Sequence, residues 1–261
     1  MLTRYLLRLL TELTSRKRLS RAAGRFAKSK WSRRLIPRFI KIYGIAVDEA
    51  EKRLTEFVSL NDFFTRRLKP GARPIDSDPR SLISPVDGTV VATGTIADGQ
   101  ILQVKGQDYT VDELLNHSPR AINYQNGTFY ILYLSPADYH RVHAPATGTI
   151  EESEHVPGSV YPVNEFGMRR MRKILSRNER LITYIRHQDC EIAVVKVGAL
   201  NVSSIRYIDP LPEKITRGDE LALFEFGSTV VLLVQSGTFR DLRAFGAGDK
   251  IKCGQALGLF L

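Results

Sequence analysis

Three short stretches carry residue types that can do chemistry. Near the C-terminus the chain reads F-E-F-G-S-T-V-V-L-L (224–233). The run is apolar and β-branched, the texture of a buried strand, yet Gly227, Ser228 and Thr229 interrupt it. A glycine inside a strand marks a bulge or a close backbone approach. The Gly-Ser pair is therefore either a local kink or a serine set on a strained backbone so that the chain can react with itself. The second stretch, L-S-P-A-D-Y-H-R-V-H-A-P (134–145), holds His140 and His143. Ser135 as N-cap, Pro136 at the first helical position and Asp138 in the first turn predict a short helix closed by Pro145, with both imidazoles on one face. Such a pair is a partial metal site, a catalytic pair or two ordinary polar residues at a turn. No acidic third ligand is near, and the helix-borne zinc motif spaces its histidines differently. The third stretch, S-P-V-D-G-T-V (84–90), offers the carboxylate of Asp87, although Asp-Gly is first of all a turn signal.

The elements that must position these groups are short strands. T-V-V-A-T-G-T-I (89–96), T-F-Y-I-L-Y-L (128–134), I-A-V-V-K-V-G-A-L (192–200) and S-T-V-V-L-L-V (228–234) alternate with Gly, Pro and Asp, the pattern of a predominantly β body. An internal echo runs through it. S-P-V-D-G-T-V (84–90) and A-P-A-T-G-T-I (144–150) share Pro-x-x-Gly-Thr, and G-D-E-L-A-L-F (218–224) resembles the stretch 248–260. Gly-rich turns between short strands recur in barrel-sandwich folds of the biotinyl and lipoyl type, an analogy of fold alone. The fold class expected is α+β, with N-terminal amphipathic helices followed by a β body with barrel-sandwich-like elements. K-P-G-A-R-P-I-D (69–76) reads as a linker, so residues 1–75 are expected to form a basic helical region and 76–261 the β domain. S-L-N-D-F-F (59–64) carries a helix-start signature.

Charge separates the same two regions. Residues 1–41 carry thirteen Lys and Arg against one acid, Glu12, more than the whole chain's net +10, which leaves the body slightly acidic. Leu2, Leu6, Leu9, Leu10 and Leu13 recur at helical spacing among Arg4, Arg8 and Arg16-Lys17-Arg18, and a second basic segment interleaves Phe26, Trp31, Phe39 and Tyr43. Basic helices with an apolar face suit the interface of an anionic membrane. A purely structural helix pair, a mitochondrial transit peptide and a nucleic-acid arm compete with that reading; the acidic body gives nucleic acid no matching basic face. The uncharged runs Ala121 to Ala137 and Phe226 to Phe239 have 17 and 14 residues, short of the roughly 20 predominantly apolar residues that span a bilayer. Cys190 and Cys253 lack any C-x-x-C spacing, so neither a metal site nor a redox pair is expected.

Taken in order and at these separations, S-P-V-D-G-T-V, Y-H-R-V-H-A-P and F-G-S-T-V resemble the motifs of the phosphatidylserine decarboxylase family, pyruvoyl-dependent and of the prokaryotic type I kind. N-D-F-F-T-R-R-L with R-P-I-D, I-L-Q-V-K-G (101–106), N-G-T-F (126–129) and R-N-E-R (177–180) extend the resemblance from about residue 58 to the end. Ala222 and V-S-S-I (202–205) stand where the family more often has glycine at one position. The resemblance implies that Ser228 attacks the Gly227 carbonyl, with His143 as base and Asp87 orienting the imidazole. The cut gives a β chain, 1–227, and an α chain, 228–261, whose first residue becomes a covalent pyruvoyl cofactor. That group takes the amine of phosphatidylserine as a Schiff base and releases CO2, leaving phosphatidylethanolamine. Either His140 or His143 then protonates the product carbon. The implied setting is a bacterial cell membrane, bound peripherally from the cytoplasmic side, with no resident metal, no nucleic acid, and a homodimer as one option for assembly. Two rivals are kept. A pyruvoyl decarboxylase of a soluble amino acid shares the Gly-Ser cut but leaves residues 1–41 without a purpose. A lipoyl-like binding module would use Lys250 or Lys252 and has no use for the histidines.

Overall fold

The computed structural model describes residues 24–104, 106–161, 163, 171–199, 205–225 and 228–261. The leucine stripe of residues 2–13 and Gly227 lie outside the described residues. From residue 24 on, the described N-terminal part is largely helical, as expected. A 3-10 segment, Lys30–Leu35, runs into helix α1 (Ile36–Tyr43), which has Pro37 in its first turn. It stops at Gly44, whose φ of 64° and N–H bond to the Ile40 carbonyl form a left-handed cap. Helix α2 (Leu60–Phe64) starts where Ser59 accepts the Asp62 N–H at 3.1 Å. Ser32, fully buried, ties the two together: its hydroxyl accepts the Leu60 N–H at 2.9 Å. Ile36, Ile45, Ala50, Phe57, Leu60 and Phe63 make a small core of their own.

Among the described residues the body has sixteen strands. In chain order they are β1 (Ser81–Ile83), β2 (Gly88–Thr95), the hairpin β3 (Gln100–Val104) and β4 (Gln107–Thr110), β5 (Thr128–Leu134), β6 (Arg141–His143), β7 (Gly148–Val156), β8 (Arg180–His187), β9 (Cys190–Gly198), β10 (Ile205–Tyr207), β11 (Lys214–Ile215), β12 (Glu220–Phe224), β13 (Ser228–Val234), β14 (Phe239–Asp241), β15 (Lys250–Ile251) and β16 (Ala256–Phe260). Short helices α3 (Val111–Leu114) and α4 (Ile174–Arg177) interrupt them. The expected class, α+β and mostly β, is what is found.

The largest sheet has the order β11-β7-β8-β9-β13-β5-β2-β15, and two small sheets run β10-β12-β6 and β14-β16-β1. Apart from the separate hairpin β3-β4, each strand of one half has a counterpart in the other, with the pseudo-twofold lying between β9 and β13. The backbone repeats the relation. The Ile83 N–H donates to the Pro145 carbonyl (3.0 Å) and the His143 N–H to the Pro85 carbonyl (2.8 Å). Ser84 N–H bonds Gln255 O and Ala144 N–H bonds Asp219 O, both at 2.8 Å. The 84–90 and 144–150 echo is therefore two equivalent corners. Each needs its glycine: a Cβ on Gly88 would lie 2.5 Å from the Tyr133 carbonyl oxygen, and one on Gly148 would lie 2.3 Å from that of Arg186. The second echo aligns 218–224 with 254–260, rather than starting at Gly248.

One copy is inserted into the other. The chain lays down β1, β2 and β5, leaves through residues 135–140 to build β6 to β12, and returns at β13. The central pair, β9 and β13, is buried along its whole length, which explains its unbroken apolar runs.

Two local expectations fail. Residues 135–140 form a turn and not a helix, and 141–143 are the strand β6. Asp138 accepts both the N–H and the hydroxyl of Ser135, each at 2.7 Å, so the capping residue is itself capped. Pairing with β12 and complete burial of Val142 then fix the strand. Nor is 69–76 a free linker: Arg73 is drawn into the body, and the Asp76 N–H donates to Gly254 O at 2.9 Å.

Candidate active site

Both crossovers between the halves carry the chemistry-bearing residues. Ser228 is the first residue of β13, opposite Leu134 of β5 and Gly198 of β9. It is completely buried, and its Oγ has no hydrogen-bond partner among the described residues. An enclosed hydroxyl without a partner costs about 1–3 kcal/mol, and such a group in a native fold calls for a functional reason. The polypeptide reaches it from Phe224 at the end of β12, whose N–H donates to the His140 carbonyl at 3.0 Å.

His140 sits on the outgoing crossover and is completely buried. Its ring centroid lies 3.9 Å from that of Phe64. Nδ1 is 2.8 Å from the Asp138 carbonyl, which can only accept, so Nδ1 carries the proton and Nε2 the lone pair. Nε2 has no partner among the described residues. Burial pushes the pKa down to about 3, so the ring is neutral at working pH.

His143 ends β6, opposite Glu220. Its Nδ1 donates to the Gly218 carbonyl at 2.7 Å, and Nε2 accepts from the Tyr139 hydroxyl at 3.0 Å. Burial lowers its pKa; the Gly218 carbonyl, Glu220 and Asp87 oppose that shift. A neutral imidazole with its lone pair on Nε2 is the form a general base needs. The strand β6 spreads the two histidines to opposite ends, His140 toward the return crossover and His143 away from it.

Asp87 is buried at the first corner. Arg73 grips it with Nε (2.8 Å to Oδ1) and Nη2 (2.5 Å to Oδ2), and Oδ1 also accepts the Cys253 N–H at 2.9 Å. Arg73 in turn holds Glu49 at 2.8 Å. No hydrogen bond joins Asp87 to His143, contrary to the sequence expectation that it orients the ring. The two are neighbours through the His143–Pro85 backbone bond, and Asp87 acts on the imidazole through space. The equivalent corner shows how much of Asp87 is structural: there Thr147 Oγ1 accepts the Arg217 N–H at 3.0 Å. A cavity of about 220 Å3 lies beside His143, walled by Tyr139, Arg73, Arg67, Lys69 and Glu220 among others. Among the described residues no three His, Cys, Asp or Glu side chains gather to hold a metal ion, and both cysteines are buried and free.

Arg73, Tyr139 and Phe64 were missed as site residues. Tyr139 adjoins His140 in the motif, which could have drawn attention to it. Nothing in the spacing connects Arg73 with Asp87.

The sequence model of the phosphatidylserine decarboxylase family matches residues 60–259. The phosphatidylserine decarboxylase proenzyme of Geobacillus kaustophilus is 42% identical over 255 residues, covering 98% of this chain and 96% of its own. That of Brevibacillus brevis is 42% identical over 258 residues, 92% of each chain. The proenzyme of Halalkalibacterium halodurans is 41% identical over 254 residues, 97% of each.

Proposed function

The chain belongs to the phosphatidylserine decarboxylase family, and we propose that it removes the carboxylate of phosphatidylserine as CO2, leaving phosphatidylethanolamine, after cutting its own backbone between Gly227 and Ser228. The observation that carries this reading is the enclosed, unpartnered Ser228 hydroxyl at the return crossover.

Maturation begins with Ser228 Oγ attacking the Gly227 carbonyl. A serine hydroxyl needs a base to take its proton, and the family motif assigns that role to His143. Its Nε2 lone pair accepts the Tyr139 hydroxyl and it stands at the end of β6 away from Ser228, so the ring reaches Ser228 only by a shift or through a proton relay. Asp87 stabilises the imidazolium by charge rather than by contact, so it serves the triad by role without the usual hydrogen bond. The peptide becomes an ester. Elimination and hydrolysis then consume one water and release ammonia, leaving residue 227 with a carboxylate and residue 228 as pyruvoyl. The residues fit such a group: the side chain is enclosed, and β13 stays paired on both sides by β5 and β9 after the cut. When present, a pyruvoyl group supplies an electrophilic carbonyl and a sink for the electrons left by departing CO2. His140 is neutral with its lone pair on Nε2, so it can return a proton to the product only after taking one up.

The N-terminal region supports attachment to an anionic lipid surface from the cytoplasmic side. Phe26, Trp31, Leu35 and Ile42 are exposed among Lys and Arg, a composition suited to the interface. No helix among the described residues is long and apolar enough to cross a membrane. We assign residues 1–75 to this region and 76–261 to catalysis, with Arg73 as the joint. The paired halves, each with one three-stranded sheet that shares a core with the large one, support the barrel-sandwich reading of the body.

Intact mass of the purified chain tests the proposal. The expected result is two species, 1–227 and a blocked 228–261 lighter by one ammonia; a single uncut wild-type species would overturn it. His143→Ala is expected to stay uncut, and His140→Asn to cut yet turn over phosphatidylserine poorly.

A further inference from the structure

Arg66, just after α2, is a buried cation that this chemistry leaves unused. It is 5% exposed. Its Nη2 donates to the Ala137 carbonyl at 3.2 Å, and its guanidinium lies 5.2 Å over the Phe63 ring. Its Nε and Nη1 are enclosed and have no hydrogen-bond partner among the described residues. Asp87 and Glu49 are within electrostatic reach, but Arg73 binds both. Burial lowers the Arg66 pKa; a guanidinium nevertheless remains charged at neutral pH. A buried cation with idle donors is costly unless something pairs with it.

The same side chain lines a cavity of about 170 Å3 with Lys52, Thr65, Arg67 and Arg141. This is room for several waters. The acids in its wall do not pair with Arg66 Nε or Nη1: Asp62 is held by Lys52 (3.0 Å) and the Val58 N–H (3.0 Å), and Glu51 makes no hydrogen bond to Arg66. The charge lies near the reaction: Arg66 is two residues beyond Phe64, whose ring lies 3.9 Å from that of His140, and it bonds Ala137 on the same crossover that carries His140.

We propose that this cavity holds a phosphate oxyanion, that of the substrate's head group, with Arg66 as its principal ligand. The proposal rests on the decarboxylase reading above. The guanidinium fork suits either of the head group's anions, phosphate or carboxylate. The carboxylate is the poorer choice, because its charge leaves it in the transition state. A clamp there favours the ground state and slows CO2 loss. A clamp on the phosphate, whose charge does not change in the reaction, holds ground state and transition state alike, so its loss shows in KM.

The test uses full-length enzyme whose cut state is checked by intact mass, with phosphatidylserine in mixed micelles. Inorganic phosphate, against chloride at equal ionic strength, should raise the wild-type KM without changing kcat and should raise the Tm. Arg66→Gln should mature normally, raise KM at least tenfold with kcat within threefold, and lose the phosphate effect on Tm; Arg66→Lys should fall between. Two results would overturn the proposal: a wild type whose KM and Tm ignore phosphate, or an Arg66→Gln with wild-type KM. A Tm response to phosphate that depends on Arg66, beside an unchanged KM for the lipid, would make the site one for free phosphate and reject the head-group assignment. If Arg66→Gln does not fold, the wild-type titration and Arg66→Lys decide. A wild type that neither cuts nor releases CO2 refutes the decarboxylase reading itself, a different failure from a cut, active enzyme indifferent to Arg66.

Discussion

The two halves of the body share their scaffold and differ in their chemistry. At the first corner the chain reads Ile83-Ser84-Pro85-Val86-Asp87-Gly88; at the second it reads His143-Ala144-Pro145-Ala146-Thr147-Gly148. The prolines, the glycines and the reciprocal backbone bonds are common to both. His143 has an isoleucine as its counterpart, and Asp87 has a threonine. The strand β9 is reached from β8 by a two-residue turn, whereas its counterpart β13 is reached by the crossover that ends at Ser228. What recurs is therefore the part that folds, and what departs is the part assigned to react. That separation can be attacked by substitution.

The largest effect is expected at Ser228. Ser228→Ala should abolish the cut entirely, seen as one band on a denaturing gel, while unfolding by denaturant shows stability unchanged or raised by about 1–3 kcal/mol, since an unpartnered hydroxyl is removed. A cut protein, or a grossly destabilised one, would make Ser228 part of the scaffold. Asp87→Thr borrows the residue that the other corner already uses. The Thr hydroxyl should keep the Cys253 N–H bond and lose the charge, so cutting should slow at least a hundredfold. The cost in stability should be about 1–3 kcal/mol, from the loss of one Arg73 partner. Cutting at wild-type rate would show that Asp87 does there only what Thr147 does.

Shared positions should behave alike. Gly88→Ala and Gly148→Ala each drive a Cβ into a backbone carbonyl, and each should cost upwards of about 3 kcal/mol, the range of strong backbone and packing faults. Thermal scans in which one copy tolerates the change and the other does not would break the equivalence. The smallest effect is a pH dependence from His140. Its pKa is about 3 in the folded state against 6.5 as the reference, so the unfolded chain binds the extra proton between those values. The His140 contribution is complete above pH 6.5 and is lost as pH falls toward 3, by at most about 1.4 kcal/mol per unit. Urea titrations at pH 7 and pH 5 should show a larger drop for wild type than for His140→Asn; equal drops would mean that the ring is not held neutral.

Much of this was legible in the sequence. The runs 128–134 and 228–234 coincide with β5 and β13, because strands buried on both faces write their burial directly into composition. The Pro-x-x-Gly-Thr echo was visible for the same reason that Gly88 and Gly148 cannot vary. The stretch 135–145 misled, since capping residues describe only local preference and β6 is decided by β12, some eighty residues later. The Pro- and Gly-rich stretch at 69–76 misled as well. Its composition says that the backbone turns freely and is silent on where Arg73 ends up. The candidate residues could be named from motifs, but the Arg73 grip on Asp87 and the Tyr139 bond to His143 are facts of packing.

The nesting of one copy inside the other has a consequence for how the mature protein can be lost. Residues 228–261 supply β13 to the middle of the large sheet, β15 to its edge, and β14 and β16 to the small sheet that β1 completes, so neither product of the cut owns the large sheet or that small one. Before the cut, every strand pairing closes a loop within one molecule, at the effective concentration of a tether. Afterwards the same pairings join two separate polymers, and regaining them from the unfolded state becomes a second-order encounter whose yield depends on dilution. Maturation is thus a one-way passage in assembly as well as in covalent structure: the precursor can refold alone, and the finished enzyme has to find its other piece.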